Sequence, residues 1–214
     1  MTKFILFDLD GTLTDSKTGI TNCVSYALEH FNIHRRPEEL ISFVGPPLKE
    51  QFILYGLSES DAENAVGFYR ERFVPTGMFE NKAYDGIIDV LKKLKNDGFT
   101  LAVATSKPTV QAMPIVERYG IKPYMTLVEG CGMDGRGTKS DVIRSVMKKL
   151  SAPVCNTVMI GDRIYDLQGA KDNGIHFIAA KYGYAAPGEL DGCKYFANNV
   201  SDLYDTVKKI FFNI

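Results

Sequence analysis

The 214-residue sequence predicts an α/β fold: a doubly wound parallel sheet, its β/α alternation interrupted by an inserted all-helical cap. Three observations predict it. The apolar run Lys3-Phe4-Ile5-Leu6-Phe7 stands at the start, is bounded by Asp and Gly turn residues, and reads as a fully buried parallel strand. From about residue 82 onward, short apolar runs alternate with segments of helical periodicity, the pattern of parallel strands joined by right-handed crossovers. Between the two, residues 15–81 carry helical periodicity and no strand. The expected division is therefore a core from 1–14 and 82–214 and a helical cap from 15–81.

The elements follow in order. Asp15-Ser16 opens a helix whose apolar face is Ile20, Val24, Leu28 and Phe31. A short helix is expected over 37–44, with Pro37 in its first turn. Gly45-Pro46-Pro47 interrupts it, and 48–55 is helical again. Ser58 to Asp61 offer N-cap side chains for a helix to about Phe73, carrying Ala62, Ala65, Val66, Tyr69 and Phe73. After Asp85-Gly86, Ile87, Val90, Leu91 and Leu94 line a helix stopped by Gly98. Residues 100–105 form the second buried strand, Pro108 opens the next helix, and 125–128 is a short strand. Lys139 begins a helix with Val142, Ile143, Val146, Met147 and Leu150 inward. A strand over 157–160, a helix over 166–173 closed by Gly174, a strand over 176–180 and a terminal helix over 201–211 complete the pattern.

Composition narrows the function. Net charge is −1 with both signs interspersed and no basic stripe, so polymeric nucleic acid is not an expected partner. No apolar run reaches the length of a membrane span, and Met1-Thr2-Lys3 leads straight into the first strand with nothing like a signal peptide. The expectation is a cytoplasmic protein, monomeric or dimeric. Cys23, Cys131, Cys155 and Cys193 form no Cys-x-x-Cys pair and no His lies at metal spacing, which argues for free thiols rather than zinc. His30, His34 and His176 are scattered and take no assigned role.

Chemistry-bearing residues gather at the expected strand ends. Asp8 and Asp10 sit at i and i+2 where the first strand runs out, and Gly11 lets the backbone turn. Two carboxylates this close call for a cation or a shared proton. Mg²⁺ suits them, since it takes hard oxygen ligands and leaves room for phosphate and water. A strand-end turn with a helix cap is the plainer reading of the same pair. Thr105-Ser106-Lys107 marks the end of the second strand and the start of a helix, which suits either an anion site or an ordinary N-cap. Lys139 opens a helix after a glycine-rich stretch. A cation there is misplaced for the helix dipole, so it is either there for an anion or a solvated lysine, with Arg136 as a substitute. Asp162 and Asp166 suit metal ligation and its support, or a turn plus a cap.

Taken in order, Asp8-x-Asp10-Gly11-Thr12-Leu13-Thr14-Asp15, Thr105, Lys139 and Asp162-x-x-x-Asp166 resemble the four motifs of the haloacid dehalogenase superfamily over nearly the whole chain. The resemblance implies a Rossmann-like core, Asp8 as nucleophile and Asp10 as general acid/base. It implies phosphate binding by Thr105, Ser106 and Lys139. It also implies Mg²⁺ held by Asp8, the Asp10 backbone carbonyl and Asp162, with Asp166 supporting them. Further strings resemble the branch of phosphoglycolate phosphatase-like and 5′-nucleotidase-like proteins with a helical cap. They are Phe43-Val44-Gly45-Pro46-Pro47-Leu48, Tyr69-Arg70-Glu71-Arg72-Phe73, Glu80-Asn81, Ala104-Thr105-Ser106-Lys107-Pro108 and Met159-Ile160-Gly161-Asp162-Arg163. Tyr165, where that subgroup often has His, and Ser140, where many relatives have Pro, depart from the pattern without removing a catalytic group. The implied activity is Mg²⁺-dependent hydrolysis of a small phosphomonoester, with a sugar phosphomutase and a phospho-accepting signalling module as alternatives. Gly45, Pro46 and Pro47 are either a substrate-facing loop or a helix-to-helix turn, and the cap is expected to hinge at about 14–16 and 80–84.

Overall fold

All four side chains of β1 (Phe4–Phe7) are apolar and buried, as a strand covered on both faces requires. The computed structural model describes residues 2–132 and 137–212. In it β1 pairs in parallel with β4 (Thr100–Pro108) on one side and β6 (Thr157–Gly161) on the other, placing Phe7 opposite both Val103 and Ile160. β5 (Leu127–Cys131) flanks β4, while β7 (His176–Ala180) and β8 (Tyr195–Ala197) extend the sheet beyond β6. The resulting six-stranded order is β5-β4-β1-β6-β7-β8, and every pairing is parallel. The chain winds outward from β1 through β4 to β5, then crosses back to β6. The winding therefore reverses beside β1, and ligands in such sheets bind outside the carboxyl ends of the strands at that reversal.

α6 (Lys139–Leu150) and α7 (Ile164–Asp172) pack on each other and on the sheet. Val142, Ile143 and Val146 join Leu6, Ala102 and Met159 in one cluster. Each large apolar side chain buried this way stabilises the fold by about 1.5–3 kcal/mol. α5 (Thr109–Arg118) packs on β4 and β5, and α4 (Ile87–Asn96) packs on α8 (Asp202–Phe212).

The chain divides into two units, Met1–Thr14 with Ala83–Ile214, and Asp15–Lys82. A two-stranded sheet, β2 (Thr14–Asp15) with β3 (Lys82–Ala83), stands where the chain passes from one unit to the other. Within the second unit, α1 (Lys17–Glu29) packs on α3 (Glu59–Phe73), and a 3-10 helix (Pro37–Phe43) leads into α2 (Leu48–Leu54). Ser58 caps α3, its hydroxyl accepting from the Asp61 N–H at 3.1 Å. Phe43 packs against Phe52 with ring centroids 5.0 Å apart. Arg72 grips Glu80 through both terminal nitrogens, at 2.8 and 2.9 Å, and the Gly19 N–H donates to the Glu80 carbonyl at 2.9 Å.

Several sequence expectations are corrected. The Thr105–Lys107 stretch is not a helix start: β4 continues to Pro108, because pairing with β5 resumes at Pro108 and Cys131 after a shift in register, and α5 begins at Thr109. Asp166 does not open its helix; α7 starts at Ile164 and Asp166 lies in its first turn. Phe31 falls beyond α1, which ends at Glu29 because Asn32 takes a left-handed conformation (φ 56°) and turns the chain. β2 places Asp15 in a strand within the segment expected to have none. β8 has no sequence counterpart: its Tyr-Phe-Ala is only three residues long, too short to read as a strand, and only Ala197 is buried.

Candidate active site

The ladder that makes β1 also places Asp8. Its N–H donates to the Ile160 carbonyl of β6 at 2.9 Å, so the backbone is fixed at the point where the side chain leaves the sheet. The loop beyond is tight: Leu9 O accepts from the N–H groups of Leu13 at 2.9 Å and Thr14 at 3.0 Å. Gly11 takes a left-handed φ of 83° there, and a Cβ on it would collide with the Asp162 carboxylate. Glycine is thus required twice over, for the turn and for the approach of that acid.

α6 delivers Lys139 to the same place. Its start is fixed by a capping box: Thr138 Oγ1 accepts from the Asp141 N–H at 3.2 Å, and Asp141 Oδ2 accepts from the Thr138 N–H at 2.9 Å. The Lys139 ammonium, buried, lies 2.6 Å from Asp8 Oδ1, 2.8 Å from Asp166 Oδ1 and 3.2 Å from the Ala104 carbonyl oxygen. The Asp166 contact is an ion pair whose angle falls outside hydrogen-bond geometry. Burial alone would lower the Lys139 pKa, but the Asp166 and Asp8 carboxylates outweigh it and hold the ammonium above the ordinary lysine range.

Asp162 follows β6 and is fully buried. Its Oδ1 accepts from the Thr12 hydroxyl at 3.3 Å and its Oδ2 from the Tyr184 N–H at 2.8 Å. Burial, with the Asp166 and Asp8 carboxylates adding to it, pushes its pKa well up. Asp166 Oδ2 accepts from the Arg163 N–H at 3.0 Å, and burial raises its pKa to about 6 against the pull of Lys139. Carboxylate oxygens of Asp8, Asp162 and Asp166 lie within 4.8 Å of one another. Three buried acids set against one ammonium leave a deficit of positive charge, and an all-oxygen donor set of this kind suits a hard divalent cation.

Asp10 is 9% exposed. Its Oδ2 lies 3.2 Å from Lys107 Nζ, and its Oδ1 is buried with no hydrogen-bond partner among the described residues. Thr105 is buried and its hydroxyl accepts from the Lys107 N–H at 3.2 Å, which leaves its own hydrogen for another acceptor. Ser106 is exposed. The structure thus brings Asp8, Lys139, Asp162 and Asp166 into one cluster at the sheet's carboxyl edge, and pairs Asp10 with Lys107. Gly45, Pro46 and Pro47 belong to the helical unit: Gly45 has a φ of 105°, Pro46 is buried and Pro47 precedes α2. Arg136 lies outside the described residues. Ser140 is buried and accepts from the Asn173 amide at 3.2 Å, while Tyr165 is partly exposed.

Sequence reasoning missed three participants. Thr12 stood inside the first motif without a role. Lys107, two residues after Thr105 in a strand, was findable from the period-2 alternation once β4 was carried to Pro108. Tyr184 contributes a backbone N–H, for which its side-chain identity gives no signal.

The description "haloacid dehalogenase-like hydrolase" matches residues 5–180. A protein from Pseudomonas aeruginosa named 5′-nucleotidase is 43% identical over 190 residues, 87% of this chain and 86% of that protein. Proteins from Mycobacterium tuberculosis and Mycobacterium bovis named tyrosine-protein kinase PtkA are 37% identical over 191 residues, 88% of this chain but 65% of theirs. Among solved structures, one described as a predicted phosphatase from Clostridium acetobutylicum superposes with a TM-score of 0.93 at 43% identity, covering 98% of this chain and 99% of that one.

Proposed function

Since the chain belongs to the haloacid dehalogenase-like hydrolases and is a phosphatase, we propose that it hydrolyses a small phosphomonoester in two steps through a phosphoryl group carried on Asp8. The observation that carries this reading is the convergence of Asp8, Lys139, Asp162 and Asp166 at the carboxyl edge of the sheet, with Asp10 two residues from Asp8. In the first step an Asp8 carboxylate oxygen attacks phosphorus in line and the phosphorus–ester oxygen bond breaks. Asp10 gives its proton to the departing alkoxide. In the second step Asp10 takes a proton from water, the water oxygen attacks the aspartyl-phosphate, and inorganic phosphate leaves with Asp8 restored. The covalent route divides one difficult displacement into two easier ones. Lys139 offsets the charge that accumulates as two anions approach each other, and the Thr105 hydroxyl has a hydrogen to offer a phosphoryl oxygen. Uncatalysed monoester hydrolysis is slow enough to need accelerations of up to ~10²¹, which positioning and charge must supply.

Mg²⁺ is the proposed cofactor. Asp8, the Asp10 backbone carbonyl and Asp162 would hold it with Asp166 in support, and when bound it supplies the positive charge this acid-rich site lacks. The substrate is proposed to be a small phosphorylated metabolite, with a nucleoside 5′-monophosphate and phosphoglycolate as the two leading classes. The names of a 43% identical relative and of a 27% identical phosphoglycolate phosphatase from Agrobacterium fabrum support those classes. A second reading, favoured by the kinase name of the PtkA relatives, passes the phosphoryl group to an acceptor hydroxyl in place of water.

The test is phosphate release with Mg²⁺ over a panel of nucleoside 5′-monophosphates, phosphoglycolate and hexose phosphates, beside an EDTA control and Asp8→Asn. A preferred substrate, turned over only by the parent with Mg²⁺, is expected. No phosphate release, with label trapped on Asp8 and passed to a tyrosyl or sugar hydroxyl, would overturn hydrolysis in favour of transfer.

A further inference from the structure

Lys107 stands where a side chain of β4 meets the acid/base candidate, and the resting structure commits it. Its ammonium lies 3.2 Å from Asp10 Oδ2, with the two side chains only 7% and 11% exposed. Burial to this degree leaves such a pair weakly screened. The other oxygen, Asp10 Oδ1, is buried without a hydrogen-bond partner among the described residues. One oxygen is held and the other is open.

Four local features fix the backbone of Lys107. The register of β4 against β5 shifts between Thr105 and Pro108, and irregularities of this kind re-aim a side chain. The Lys107 N–H donates to the Thr105 hydroxyl at 3.2 Å. A Cβ at the neighbouring Gly130 would collide with the Lys107 carbonyl, so glycine allows β5 to close against it. Gly130 is in turn held by its N–H donating to Thr109 Oγ1 at 2.9 Å.

We propose that Lys107 is a positioning residue for Asp10: by fixing Oδ2, it leaves Oδ1 as the oxygen presented to the leaving group. The inference rests on the acid/base role given to Asp10 above. A carboxylate turns about its terminal torsion over a broad range, so either oxygen can face a ligand unless one is tied. A charge-assisted contact to one oxygen removes that freedom. Without Lys107, Asp10 has a buried carboxylate with neither oxygen held, and its direction is lost. Misplacement of a reacting group by about 1 Å can cost about 10²-fold in rate.

The experiment is a leaving-group series. Values of kcat and KM are measured with Mg²⁺ for phosphomonoesters running from alkyl phosphates, through phenyl phosphate, to 4-nitrophenyl phosphate. The proteins compared are the parent, Lys107→Met, Lys107→Arg and Asp10→Asn. For Lys107→Met, kcat/KM, which reports the step that expels the leaving group and not the later attack of water, is expected to fall about 100-fold for alkyl esters. The activated 4-nitrophenyl ester, which scarcely needs a proton on its leaving group, is expected to fall less than about 5-fold. Lys107→Arg, which keeps the charge, is expected to restore most of the alkyl-ester rate. Lys107→Gln, read by the same slope, replaces the Met variant if its thermal melt shows it unfolded. A uniform loss across the series, or none, in Lys107→Met while Asp10→Asn shows the steep dependence overturns the role of Lys107 alone. A flat series in Asp10→Asn overturns the acid/base reading, and the role of Lys107 falls with it.

Discussion

Asp162 is the residue on which the electrostatics of the site turn. It is buried at the end of β6 between Thr12, the Tyr184 N–H and two other acids, and its pKa is pushed well above the ordinary carboxylate value. A folded-state pKa raised in this way means that the native protein binds a proton the unfolded chain has released. Stability therefore falls as pH climbs from about 4. Asp162→Asn removes that penalty. Without divalent cations, the variant is expected to melt level with the parent near pH 4 and several degrees above it at pH 8. Adding Mg²⁺ should raise the parent's melting temperature and leave the variant's in place. An equal Mg²⁺ response in both would argue against Asp162 as a ligand. Asp8→Asn is expected to reduce turnover by more than about 10³-fold while the far-UV circular dichroism stays that of the parent. Substantial residual activity would end the nucleophile assignment. The cluster of Asp8, Lys139, Asp162 and Asp166 was legible in the sequence, because each is a charged residue beside an apolar run in an ordered string. The Tyr184 N–H was not legible, since a backbone donor is chosen by the path of the chain rather than by the residue that carries it.

Among the elements, the strands that fill the sheet interior announced themselves as apolar runs and the packed helices by their periodicity. What escaped were features decided by neighbours. β4 outruns its apolar run because β5 continues to pair with it through Pro108, and β8 exists because β7 presents an edge to three residues too few to announce a strand by themselves. The start of α6 was legible, and its precision comes from Thr138, whose hydroxyl and N–H both engage Asp141. Thr138→Ala is expected to lower stability in urea by about 1 kcal/mol, with kcat falling in step as Lys139 loses its fixed starting point. In the helical unit, the Arg72 guanidinium holds the Glu80 carboxyl below its ordinary pKa. A depressed carboxylate contributes stability above its unfolded pKa and loses it as pH falls through the folded one. Glu80→Gln should therefore destabilise by about 1 kcal/mol at pH 7, with the deficit shrinking as the pH falls through the lowered folded-state pKa. A deficit unchanged across that range would mean that the pair is held by packing rather than charge.

At the scale of the whole molecule, one unit is spliced into the other. The ends of the inserted segment meet: Lys82 Nζ lies 3.8 Å from Asp15 Oδ2, and the Gly19 N–H reaches the Glu80 carbonyl. Segments whose ends lie together and which carry their own core tolerate excision. Residues 15–82 expressed alone are expected to give a helical spectrum and a cooperative melt; a featureless melt would make the segment dependent on its host. The sheet has the opposite character. Phe4 pairs with Thr100 and Thr157, so the strand that leads to Asp8 is made first and waits for partners made far later in the chain. On the ribosome, synthesis at about 5–20 residues per second holds β1 unpaired for several seconds, while the helical segment emerges with all of its own partners and closes. A chain built in this order exposes Phe-Ile-Leu-Phe until β4 is made. Its yield in a cell will therefore depend on what shelters that tetrapeptide before β4 arrives.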